Sequence, residues 1–210
     1  MNKALLAILL FVSAGGAVQA QVSSQESDDE KAAQKEAQKK AQVDAARAEA
    51  GCGPDEIQFD VKTDKSQHPS AQLEAGKALV YVFEEEKKQQ NRFNIGSVTT
   101  RVGLDGKWVG ANHGKSYFFF SVTPGEHRLC TQWQSSFARF SRLGSALTFT
   151  AVAGGKYYFR TEVEERDEFP AEVRLKPVDN AEGQFLISVD AFSTSHEKKQ
   201  SPAEQQSDSQ

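Results

Sequence analysis

The sequence predicts an all-β protein: an antiparallel β-sandwich with one short C-terminal helix and an exposed N-terminal helical arm. Three observations carry this. Short segments alternate apolar and polar residues between about 57 and 177, which is the period of half-buried strands. Turn pairs punctuate them, Asp105-Gly106 and Pro124-Gly125 above all. All fourteen phenylalanines but Phe11 lie between 52 and 196, so one region holds the material for a core.

Residues 1–20 read as a secretory signal peptide. Lys3 provides the basic start, ALLAILLFV the apolar run, and Val18-Gln19-Ala20 a small-residue cleavage site near Ala20. The reading places the protein in the periplasm or outside the cell, with no membrane span after cleavage, because no other long apolar segment follows. Residues 21–51 form an Ala/Gln/Lys-rich helical or flexible arm. They contain no aromatic residue and are rich in good helix formers, but within 28–50 the only large aliphatic is Val43, so an arm helix has little to bury. Ala33, Ala37, Ala41 and Ala45 share one stripe, which offers a weak helix–helix contact. Residues 197–210 are polar and read as a disordered tail.

Between them, 52–196 is the sandwich domain. IQFDV puts Ile57, Phe59 and Val61 on one face. ALVYVFEEE is apolar on both faces and suits a central strand. EEEKKQQN (84–91) reads as a charged loop tip. Val98, Thr100, Val102 and Leu104 alternate, and Asp105-Gly106 hands the chain to KWVG through a primed two-residue turn. SYFFFSV is expected to pair with HRLCTQW across the TPGE turn. That pairing sets Phe118 against Thr131 and Phe120 against Leu129 on one face, and Tyr117, Phe119 and Cys130 on the other. ALTFTAV, KYYFRTEVEE and AEVRLKP supply further strands, for seven to nine in all. Asp179 with Glu182 is a capping-box pattern, and Ala181, Phe185, Leu186 and Val189 fall on one face of the helix it begins, with a strand at QFLISV as the rival reading.

Cys52 and Cys130 are the only cysteines. In an exported chain they are expected to form a disulfide, worth about 4 kcal/mol in the chain-entropy model. The net charge of −4 argues against nucleic acid as a partner. His68, His113, His127 and His196 match no metal-ligand spacing, and there is no GxSxG, SxxK or dinucleotide motif in context, so no catalytic, cofactor or metal residues are assigned and no enzyme is expected. Trp108, Arg128, Trp133, Tyr158 and Arg160 form the candidate binding surface: Tyr158 and Arg160 are expected to point away from the core. Phe137 and Phe140 stand near Arg139 and Arg142 in the same sense.

GKALVYVFEEE, GLDGKWVGANHGKSYFFFSVTPGEHRLC and AEGQFLISVDAFSTSH resemble a bacterial family catalogued as domain of unknown function 2846. The middle stretch is also similar to a PEGA-type module, through its DGKWVG hairpin and PGEH turn. The resemblance implies a small immunoglobulin-like or PEGA-like β-domain in an exported or envelope protein, and no known activity. The expected function is therefore a non-catalytic exported module that binds a protein or surface polymer in the envelope. The alternatives are a carbohydrate-binding or glycan-hydrolysing protein using loop aromatics, and a structural assembly subunit tethered by the arm.

Overall fold

The computed structural model describes residues 18–87, 98–136, 143–164 and 172–199. The chain forms two units, one ending at Val43 and one beginning at Asp44. A single helix, α1 (Val18–Glu49), runs through that boundary. It starts two residues before the expected cleavage site, and its residues from Asp29 to Lys40 are all exposed.

The second unit is the sandwich. Its strands are β1 (Phe59–Asp64), β2 (Ala78–Lys87), β3 (Thr99–Leu104), β4 (Lys107–His113), β5 (Ser116–Val122), β6 (Gly125–Trp133), β7 (Gly144–Ala151), β8 (Lys156–Glu164), β9 (Glu172–Val178) and β10 (Ala191–Glu197). The helix α2 (Asn180–Val189) lies between the last two. One sheet has the order β1-β10-β5-β2-β8-β9, the other β4-β3-β6-β7. The fold is thus the sandwich expected, with ten strands among the described residues rather than seven to nine. β10, which the alternation did not single out, supplies one of the extra ones. Two ladders are parallel, β10 with β5 and β2 with β8; the rest are antiparallel.

The Asp-Gly turn forms as the sequence predicts. Asp105 adopts φ 51° and β3 pairs with β4 directly across it. The next expected hairpin does not form. β5 pairs with β2 and β10 in the large sheet, whereas β6 pairs with β3 and β7 in the small one. The TPGE turn therefore carries the chain from one sheet to the other. The physical reason lies in β5 itself: Tyr117 and Phe118 on opposite faces are both buried, and only an interior strand covered on both sides can bury both. Phe118 and Phe120 enter the space between the sheets, where their rings stack with centroids 5.8 Å apart among Val80, Val82, Val102, Val122 and Leu129. Phe120 and Leu129 do share the core, but from opposite sheets. Tyr117 and Phe119 face the other way, with Leu79, Tyr81, Phe83 and Tyr158, beneath Leu186 and Ile187 of α2. Cys130 does not join them; it lies on the outer side of the small sheet.

β2 is the central strand the sequence suggests, and it runs to Lys87. Glu84 is therefore not a loop-tip charge. It is fully buried between the sheets, where it accepts a hydrogen bond from the Thr100 hydroxyl. Two further bonds stitch the same end of the sandwich: Thr161 to Thr131 at 3.1 Å and Asn112 Nδ2 to the Val82 carbonyl at 3.0 Å. The remainder of that run, 88–91, lies outside the described residues, as do 165–171 and the tail beyond 199.

The Asp179 cap is present: its carboxylate accepts the Glu182 amide at 2.8 Å. The apolar face of α2 differs from expectation. Phe185 and Val189 are exposed, and the inward residues are Gly183, Leu186 and Ile187. Gly183 sets this orientation, because a Cβ there would stand 2.5 Å from the Tyr158 ring. An interior helical Gly→Ala change ordinarily gains about 1 kcal/mol. Here Gly183→Ala lifts the helix off Tyr158, and we expect it to destabilise by about 1–3 kcal/mol, read as a lower urea midpoint and faster amide exchange in 180–189. A gain in stability contradicts this packing.

Candidate functional surface

The outer face of the small sheet is covered at β3 and β4 by the segment 50–57. Gly103 on β3 allows it to lie close; a Cβ there would meet the Gly51 carbonyl at 2.6 Å. Cys52 and Cys130 form the expected disulfide, with Cα atoms 5.1 Å apart. Beside it Arg101, 2 % exposed, is the largest wholly buried side chain described. Its guanidinium donates to the Asp55 carbonyl at 2.8 Å, the Ile57 carbonyl at 2.5 Å, Asp55 Oδ1 at 3.1 Å and Gln132 Oε1 at 3.0 Å, and lies 4.5 Å from the Trp108 ring centre. A buried cation needs such a set of acceptors to offset its lost hydration. Burial still tends to discharge Asp55, but the hydrogen bonds and charges of Arg47 and Arg101 outweigh it and hold its carboxyl below the usual range. Arg47, in the last turn of α1, reaches the other Asp55 oxygen at 2.8 Å. The base of the arm, from Asp44 onward, is thereby fastened to the sheet.

The five residues expected to form a binding surface are scattered by this fold. Trp108 is half-buried in the clamp, its indole N–H donating to the Pro54 carbonyl at 2.6 Å. Arg128 is exposed on the same sheet and donates to the Glu49 carbonyl at 3.0 Å. Trp133 is buried among Val98, Val163 and Val173. Tyr158 is buried too, not pointing to solvent, because α2 covers it; Gln184 donates to its hydroxyl at 2.6 Å. Arg160 lies on that second face, paired with Glu182 at 2.6 Å and Glu85 at 3.4 Å. The alternation correctly sends Tyr158 away from the space between the sheets, but the helix closes that side. Phe137, Arg139, Phe140 and Arg142 lie outside the described residues. Sequence reasoning missed Arg101: an arginine in an alternating strand reads as solvent-facing, and only the glycines at 51, 53 and 103 hint at a close approach over it.

The two central histidines stand at opposite ends of β3. His113 bonds the Thr99 hydroxyl at 2.8 Å. His127 is held between Asp105 Oδ2 and the Thr123 carbonyl, both at 2.7 Å, and Asp105 also accepts the Arg128 amide at 2.9 Å. Burial alone lowers the His127 imidazolium, but the Asp105 and Thr123 hydrogen bonds overcome it and leave the group titrating above its ordinary value. Asp105 is pulled the other way: burial raises it, and the Arg128 amide and His127 bring it below the usual carboxylate range. Among the described residues no three His, Cys, Asp or Glu side chains gather as a metal site, and no helix is long and apolar enough to cross a membrane.

Residues 74–172 match the model of a family described as Protein of unknown function (DUF2846). Over those residues the chain is similar to that family. The match runs from just before β2 to the first residue of β9 and takes in the hairpin, the aromatic strand and His127, but not the clamp segment or α2. No curated protein and no solved structure matches the chain. The PEGA likeness rests on the DGKWVG hairpin and on a PGEH turn that joins two sheets here.

The His127–Asp105 pair makes stability depend on pH in a definite way. The raised His127 contributes below about pH 6.5 and its share is lost as pH rises through the folded value; the lowered Asp105 contributes above about pH 3.9 and its share is lost on acidification. Asp105→Asn keeps a residue suited to φ > 0 but removes the charge. The stability difference between wild type and Asp105→Asn, from urea unfolding, should be largest between about pH 4 and 6.5 and shrink on both sides. A difference that does not vary with pH contradicts the pairing.

Proposed function

We propose that this chain is an exported, non-catalytic module that binds a protein or a surface polymer in the cell envelope. The observation that carries the reading is the clamp: a disulfide, a buried arginine and two further arginines fasten the base of a helical arm to a sandwich. Such a clamp suits a domain that must hold its form while it bears a contact with another molecule. A disulfide of this kind persists in an oxidising compartment, which supports a periplasmic or secreted location with cleavage near Ala20. The histidines and buried polar residues described above are engaged in holding turns, strands and sheets together, which supports binding rather than turnover.

The glycan-binding alternative draws less support. Trp108 and Trp133 are committed to the clamp and the core, and Tyr158 to the contact with α2. The surfaces left open carry Arg128 on one outer face, and Phe185 and Val189 on α2 over the other.

Retention of the purified mature chain by envelope fractions, with and without protease or polymer-degrading treatment, tests the reading. It should be saturable and abolished by one treatment, without release of soluble sugars. Arg128→Glu and Phe185→Asp lie on opposite faces; one of them should weaken retention about tenfold, roughly 1.4 kcal/mol, and so mark the contact face. Catalytic release of sugars, or retention indifferent to both variants, overturns the proposal.

A further inference from the structure

Among the described residues the sandwich has four edge strands, and three of them carry protection. β1 sets Asp60, Lys62 and Asp64 along its length. β9 carries Glu172, Arg174 and Lys176 and then Pro177. β4 is capped from the opposite sheet, where Ser195 accepts the Ala111 amide at 3.0 Å and Ser193 donates to the Ala111 carbonyl at 3.1 Å. Charges, proline and side-chain capping are the devices by which sheet edges avoid pairing with other chains.

β7 has none of them. Residues 143–155 contain no charged residue and no proline, in a chain that is 26 % Asp, Glu, Lys and Arg. Among the described strands β7 pairs with β6 alone, over eight consecutive residue pairs from Gly125↔Ala151 to Gln132↔Gly144 with no shift in register. It is an unbulged template about 26 Å long. Its outward side chains, Ala146, Thr148 and Thr150, are exposed and small or β-branched.

We infer that β7 is a pairing edge, and that its occupant is β7 of a second copy of this chain, antiparallel about a two-fold axis at Thr148. The strand is self-complementary in that register. Thr148 meets Thr148 of the second copy, Ala146 meets Thr150, and Leu147 meets Phe149, so each pair shares a face as an antiparallel ladder requires. No pair brings like charges together, and Thr–Thr is a favourable cross-strand pair. The two small sheets then join into one of eight strands. This assembly is independent of what the module binds and of the arm.

Sedimentation of the mature chain across a wide concentration range tests the inference. The wild type should form a reversible dimer that survives deletion of residues 21–43, the part of the arm outside the sandwich unit. Thr148→Lys, which places two lysines at the axis, should weaken it at least about tenfold, while Thr148→Ser should retain it. Mixing Thr148→Lys with Thr148→Glu should restore a dimer of the two variants. Because Thr148 is exposed, circular dichroism should show all three folded. A wild type monomeric throughout, a dimer indifferent to Thr148→Lys, or one that requires the arm, overturns the inference.

Discussion

Strand β5 must stay dry on both sides, and the architecture follows from that demand. Tyr117 and Phe118 are neighbours in sequence, point in opposite directions, and are both buried. A strand at the edge, or in a sheet with one wet face, leaves one of them in water at a cost of about 1.5–3 kcal/mol per large side chain. The solution is an interior position in the six-stranded sheet, with the small sheet packed on one face and α2 on the other. The crossover at Pro124-Gly125 and the cover that α2 gives to Tyr158 both serve this arrangement.

The space between the sheets is itself zoned. Around Phe118, Val122 and Leu129 it is apolar; toward Glu84 it is crossed by side-chain hydrogen bonds from Thr100, Thr161 and Asn112. Buried polar groups are costly unless satisfied, but paired ones fix how the two sheets meet. The outer clamp does the same for the segment 50–57. Arg101 gathers two carbonyls, Asp55 and Gln132, so the segment cannot slide over the sheet without abandoning a buried charge.

Much of this was legible in the residues. The alternation found the strands, Asp105-Gly106 found its hairpin, Asp179 and Glu182 found α2, and a single pair of cysteines, read with the expectation of export, found the disulfide. The misreadings share one cause. Local pattern gives each residue's side of its strand but not what covers that side. TPGE looks the same whether it closes a hairpin or joins two sheets, and Tyr158 looks exposed until a helix arrives from 22 or more residues later. Thr100, Thr131 and Thr161 read as ordinary strand threonines, because their meeting across the core depends on which strands stack. Arg101 was hidden for the same reason. Of the expected binding surface, only Arg128 stands in the open, with Trp108 and Arg160 partly so.

The most direct measurement of the central claim is the set of aromatic-to-methyl nuclear Overhauser contacts in the folded chain. Protons of Phe118 and Phe120 should contact the methyls of Val102 and Leu129. Tyr117 and Phe119 should contact those of Leu186 and Ile187, with no ring seeing both groups. Phe118 and Phe119 contacting one common set of methyls, or both responding to a soluble paramagnetic agent, would contradict the account.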